Sequence, residues 1–122
     1  MRFAEDSLAG NIIRAYAAGQ ITVNDEVIVT SVIVTPERII RDWLPRAFVD
    51  LERRHIVRLE ELQPEIIVLG TGLRLRFPDA KYTAGFLSQG IGVEIMNTTA
   101  ACRTYNILLS EGRRVVAALL MA

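Results

Sequence analysis

Ile66-Ile67-Val68-Leu69-Gly70-Thr71-Gly72 and Ile91-Gly92-Val93-Glu94-Ile95-Met96-Asn97-Thr98-Thr99-Ala100-Ala101-Cys102-Arg103 decide how this chain folds. The first is a short apolar run that stops at a glycine-flanked bend. The second is an apolar run that opens directly into a helix. Short Ile/Val/Leu runs of this kind suit strands buried on both faces, and helical connections between them make such strands parallel. Loops leaving adjacent parallel strands at the same end meet over one crevice, where open α/β folds usually hold their ligands. The two bends are therefore predicted to be neighbours.

Working outward, Leu73-Arg74-Leu75-Arg76-Phe77 alternates with period two, which places both arginines on one side if the segment is extended. Pro78 follows, and Asp79 is a cap for a helix over 80–89, with Tyr82, Phe86 and Leu87 on one face and Gly90 at the stop. Thr98 or Thr99 caps the next helix, which runs to Glu111 and ends at Gly112, and residues 113–120 form the last strand. From Glu65 onward the order is strand, helix, strand, helix, strand, which predicts a layered α/β sheet with right-handed crossovers where strands are parallel.

Upstream, residues 12–17 and 20–23 are extended stretches joined at Ala18-Gly19. Asn24-Asp25 turns the chain into a β-branched run over 27–35, and together these read as an antiparallel meander. Pro36 closes it, and residues 37–46 are expected to be irregular or briefly helical before Pro45 stops them. Asp50 is the expected N-cap of an amphipathic helix over 51–62, with Leu51, His55 or Ile56, Leu59 and Leu62 on its apolar face.

The 122 residues have room for one domain with a real core, so residues 1–122 are expected to form a single domain. Hydrophobic residues make up 51% of the chain and its mean hydropathy is +0.28, which predicts that a second copy or a partner covers part of the surface. Fourteen basic residues balance fourteen acidic ones, so no net field draws the chain to nucleic acid or to an acidic membrane. Lys81 is the sole lysine. Arginine everywhere else suits bidentate anion contacts, but codon usage of the source genome is the simpler explanation. The polar start Met1-Arg2-Phe3-Ala4-Glu5-Asp6 carries no leader pattern, and no apolar run approaches the roughly 20 residues of a membrane span, so a cytoplasmic protein is expected. With Cys102 alone, no intramolecular disulfide can form.

The two bends offer few groups that carry chemistry. Gly70-Thr71-Gly72 holds two glycines of a dinucleotide fingerprint, but Leu75 stands where the third belongs and Pro78 delays the helix, so the turn cannot present a helix N-terminus to a pyrophosphate. No cofactor is expected. Arg103 lies in or beside the first turn of its helix, where a cation is unfavourable by roughly 0.3–1 kcal/mol unless compensated. Two arrangements answer this: Arg103 pairs with a carboxylate such as Glu94 or packs over Tyr105, or it holds a small anion with the amides after Thr99, the Thr71-Gly72 loop and Arg74 or Arg76. Cys102, in the same turn, is either a stabilised thiolate or the small residue that a close-packed helix start accepts. His55 has no triad partner at i±4 and reads as a flank of the packed face, and one histidine with one cysteine is too few for a zinc site, so no metal is expected. Glu60-Glu61 reads as solvated charge. Trp43 either plugs the core edge or belongs to a contact surface.

Tyr16, Gly19, Ile21, Val23-Asn24, Ser31-Val32-Ile33-Val34-Thr35-Pro36, Trp43, residues 67–72 and residues 92–106 together resemble one family over about residues 9–120. It comprises small bacterial and archaeal domains of unknown function, together with the mitochondrial assembly factor three of the NADH dehydrogenase alpha subcomplex. The resemblance implies a three-layer α/β fold with a central mixed sheet, helices and a small N-terminal antiparallel β layer. It also implies a pocket region of Gly70, Thr71, Gly72, Thr99, Arg103, Thr104, Tyr105 and Asn106, and other residue types at the position of Cys102, which argues against a thiol mechanism. It supplies no catalytic residues, and none is expected. The leading expectation is a non-enzymatic interaction or assembly domain with a protein partner, linked by resemblance to respiratory complex I assembly. The alternative is a small-anion or metabolite-binding protein, or an enzyme, built on the crevice between residues 70–72 and 99–103. A homo-oligomer is the third expectation.

Overall fold

The computed structural model describes residues 10–122. The expectation drawn from Met1 to Asp6 lies outside the described residues. The centre of the fold is β6, Ile66–Gly70, whose five residues are all buried. It pairs in parallel on one side with β7, Gly92–Met96, and on the other with β8, Val115–Leu119. Beyond β8 the sheet continues antiparallel through β4, Val32–Val34, to β5, Ile39–Ile40, giving the order β5-β4-β8-β6-β7. This is the predicted mixed sheet.

Alternation along these strands makes two cores. Val32, Val34, Ile66, Val68, Val115, Ala117 and Leu119 face α3, Thr98–Ser110, and a second sheet of β1, Ile13–Ala17, β2, Gln20–Val23, and β3, Glu26–Ile28. Ile33, Ile67, Leu69, Val116, Ala118 and Leu120 face α1, Arg53–Glu60, and α2, Ala80–Ser88, through Ile56, Leu59 and Phe86. Because successive side chains of a strand point to opposite faces, the Ile/Val/Leu runs bury both sides, and three layers follow.

Several local readings are corrected. The β-branched run over 27–35 is two strands in different sheets: β3 closes the small sheet and β4 enters the central one. Propensity is continuous there, and only the available partners divide it. Ile39-Ile40 is a strand rather than irregular chain because the Ile33–Val34 edge accepts it. Helix α1 starts at Arg53 with Glu52 as N-cap, whose N–H donates to His55 Nδ1 at 3.0 Å; Asp50 instead accepts from the Ala47 N–H at 3.1 Å, beside a short 3-10 turn, Phe48–Asp50. Asn97, not Thr98 or Thr99, caps α3 by accepting from the Ala100 N–H at 2.9 Å. Leu87 stands 71% exposed, off the face shared by Phe86 and Tyr82. Trp43 fills the α1 side of the core, and its Nε1–H donates to the His55 carbonyl at 3.1 Å.

Candidate functional site

The parallel register ends β6 and β7 together, Gly70 opposite Met96, and the two bends do meet. Thr71 N–H donates to the Met96 carbonyl at 2.9 Å and Thr98 N–H to the Gly72 carbonyl at 2.9 Å. Thr98 then occupies the space between them. Its Oγ1 accepts from Gly72 N–H at 2.8 Å and donates to the Leu120 carbonyl at 2.6 Å, so one buried hydroxyl ties the ends of three segments. Both glycines are required by this closeness. A Cβ on Gly70 would lie 2.9 Å from Thr98 Oγ1 and 3.1 Å from Ala101 Cβ; Gly72 has φ +96°, and a Cβ there would collide with the Ala122 carbonyl oxygen.

The junction is therefore packed with protein. Two spaces remain open beside it: a cavity of about 80 Å³ with Gly19, Gly72, Thr98 and Thr99 in its lining, and an open cleft of about 330 Å³ lined by Thr71, Leu73, Arg74 and Arg76 among others. The first two amides after Thr99, on Ala100 and Ala101, already donate to the Asn97 side chain and the Asn97 carbonyl, each at 2.9 Å. Thr99 Oγ1 donates to Asn97 Oδ1 at 3.1 Å. Thr71 Oγ1 turns inward on its own loop, donating to the Arg74 carbonyl at 2.5 Å and accepting from Arg76 N–H at 3.1 Å. The side chains of Arg74 and Arg76 are left at the surface, in a bent, exposed segment rather than an extended strand.

Arg103, Tyr105 and Asn106 reach the other sheet or the residues just before it. Arg103 donates from Nη1 to the Tyr16 hydroxyl at 3.4 Å, with its guanidinium carbon 5.9 Å from that ring's centroid. Its partner is thus an aromatic of β1, neither Glu94 nor Tyr105, because α3 lays this face along the small sheet. Asn106 accepts from Ile13 N–H at 3.1 Å and donates to the Ile13 carbonyl at 2.7 Å, so its amide group pairs with β1 as a strand would. Tyr105 is buried and donates its hydroxyl to the Asn11 carbonyl at 2.7 Å; burial raises its pKa. Thr104 donates to Met96 Sδ at 3.2 Å. Cys102 is fully buried and its thiol is pushed up to about 12 by desolvation, against a smaller lowering by Arg103, so at neutral pH it is a thiol packed as a small apolar group.

Sequence reasoning brought the right segments together and missed the residues that join them. Thr98 and Asn97 carry the junction, and the signal for Asn97 was available in the preference of asparagine for the N-cap position. Tyr16 and Asn11, which receive Arg103 and Tyr105 from 87 and 94 residues away, carried no such local signal. A larger hollow of about 520 Å³ lies elsewhere, lined by Asp42, Trp43, His55 and Arg58 among others. There Asp42 is held below the usual carboxylate range by its hydrogen bond from Arg58, and His55 is lowered by burial and by Arg54. Among the described residues no group of three His, Cys, Asp or Glu could hold a metal ion, and no helix is long and apolar enough to cross a membrane.

Comparison with known proteins agrees with this geometry. The chain is 31% identical over 121 residues to the NADH dehydrogenase (ubiquinone) 1 alpha subcomplex assembly factor 3 of Xenopus tropicalis, covering 98% of this chain and 66% of that protein. With the same factor of Danio rerio it shares 32% over 118 residues, 95% of this chain and 67% of that one. The chain thus spans about two thirds of the length of these curated relatives. A crystal structure of a protein from Bordetella parapertussis superposes with TM-score 0.86 at 37% identity, covering 93% of this chain and 98% of that one. The family model described as protein of unknown function (DUF498/DUF598) matches residues 13–120, every strand of both sheets and all three helices, and this chain belongs to that family.

Proposed function

We propose that this chain is a non-enzymatic assembly factor that works through protein contacts, on a respiratory NADH dehydrogenase. The observation that carries the reading is the likeness to vertebrate complex I assembly factors across 95–98% of the chain. The buried Thr98, Ala101, Cys102 and Tyr105 support it: this block stitches the layers together, as a rigid interaction module requires. Deleting the gene in its source organism should lower the amount of assembled NADH dehydrogenase on native gels and the matching membrane NADH oxidation, with both restored by the wild-type chain. Undiminished assembled complex in the deletion strain would overturn the reading.

A further inference from the structure

Five large apolar side chains stand in solvent at the edge of the sheet where β6, β7 and β8 end. Leu73, Leu75 and Phe77 belong to the loop after β6 and Leu44 and Val49 to a segment beside it, and all five are 50–76% exposed. The two segments adjoin. Phe48 and Val49 share an open cleft of about 330 Å³ with Leu73, Arg74 and Arg76, and Arg76 holds its guanidinium carbon 5.6 Å from the Phe48 ring centroid. Leu44 and Val49 line the next hollow together. Single exposed apolar residues are ordinary, whereas a contiguous set marks contact with a partner or a membrane. Residues 73–77 form neither strand nor helix, and every one of them is exposed, the leucines as well as the arginines. The loop therefore projects its apolar side chains instead of packing them.

The charges around it select the occupant. Arg74 and Arg76 are the only charged residues between Thr71 and Pro78, and Arg46 lies between Leu44 and Val49. Of the acids of the neighbouring segment, Asp42 pairs with Arg58 at 2.8 Å and Glu52 with Arg54 at 2.9 Å, which leaves Asp50, bonded to the Ala47 N–H, as one carboxylate against three arginines. None of the ion pairs between described residues uses Arg46, Arg74 or Arg76. A second copy docked on this edge would bring arginine against arginine. Exposed aliphatic and aromatic side chains interspersed with arginines along both segments instead match a plane of hydrocarbon behind phosphates, which the forked donors of arginine bind two at a time.

We infer that this edge docks on an anionic lipid bilayer, with Val49, Leu73 and Phe77 entering the acyl boundary and Arg46, Arg74 and Arg76 pairing with headgroup phosphates. The inference does not rest on the assembly reading. The chain has zero net charge, so the attraction is local and salt-sensitive. In sedimentation with vesicles, the full chain should bind mixed phosphatidylcholine–phosphatidylglycerol membranes at least about tenfold more strongly than pure phosphatidylcholine. Since each cation near such a surface is worth about fivefold in binding, the double variant Arg74→Gln/Arg76→Gln should bind roughly thirtyfold more weakly. Leu73→Asp/Phe77→Asp should stay in the supernatant, and both variants should melt near the wild-type temperature because the changed side chains are exposed. Wild-type protein that ignores both membranes, binds both equally, or is matched by its variants overturns the inference. So does a wild type that stays off vesicles but forms a dimer in light scattering that Phe77→Asp abolishes, which would make a second copy the occupant.

Discussion

A single hydroxyl has the largest consequence for how this chain is read. Thr98 Oγ1 bonds Gly72 and Leu120 at 2.8 and 2.6 Å inside the protein, where a ligand crevice was expected. Replacing it with the isosteric valine would leave a buried N–H and a buried carbonyl unpaired, at about 1–3 kcal/mol for each. Thr98→Val should therefore lower the melting temperature by on the order of 10 °C, while Thr98→Ser, which keeps the hydroxyl, should lose much less. Equal losses in the two variants, measured by circular dichroism, would show that the methyl group and not the hydroxyl matters. Position 98 was legible as a helix start. That its side chain faces back into the sheet was not, since a cap and a cross-strand tie look alike until the strand ends are placed.

At the scale of elements, helix α1 begins with an imidazole. His55 Nδ1 accepts the Glu52 N–H, a role open only to the neutral ring, and its pKa lies below the ordinary 6.5, lowered by burial and by Arg54 against the opposing pull of Glu52 and Asp50. The unfolded chain then binds this proton more readily than the folded one. The stabilisation is full above pH 6.5 and is lost as pH falls through the folded value, where protonation turns the acceptor into a donor. Melting curves between pH 7.5 and 5.5 should show the wild type losing stability, and His55→Gln, whose amide oxygen can still accept at this position, losing less. An identical decline in the variant would remove the helix start as its cause. The helix itself was readable from its apolar spacing. Its first residue was not, because Asp50, the better cap on propensity, is held by Ala47 in the preceding turn.

For the molecule as a whole, the question is what holds two sheets together. Residues 97–106 form the seam: Asn97 and Thr98 close the edge of the central sheet, Ala101 and Cys102 allow α3 to lie close on it, and Arg103, Tyr105 and Asn106 reach the first strand or the residues just before it. Asn106→Ala should remove both bonds to Ile13 and cost about 1–3 kcal/mol. Hydrogen exchange should then quicken in residues 13–28 while the amides of β6 and β8 keep their protection. Uniform acceleration in both sheets would mean that the small sheet has no separate attachment.

The sequence by itself determined most of the elements and the sides they bury, β5 and the face of Leu87 excepted, because periods of two and 3.6 are local properties that a run of Ile, Val and Leu or an amphipathic stretch carries wherever it is placed. It also determined that the bends at 70–72 and 97–103 would meet, since parallel strands joined by helices leave few other topologies. Only the tertiary structure decided what fills that meeting point, where β3 gives way to β4, and which partner Arg103 takes. Those outcomes depend on residues 22 to 87 positions apart, whose bonds form only after the chain has folded and leave no periodic trace along it.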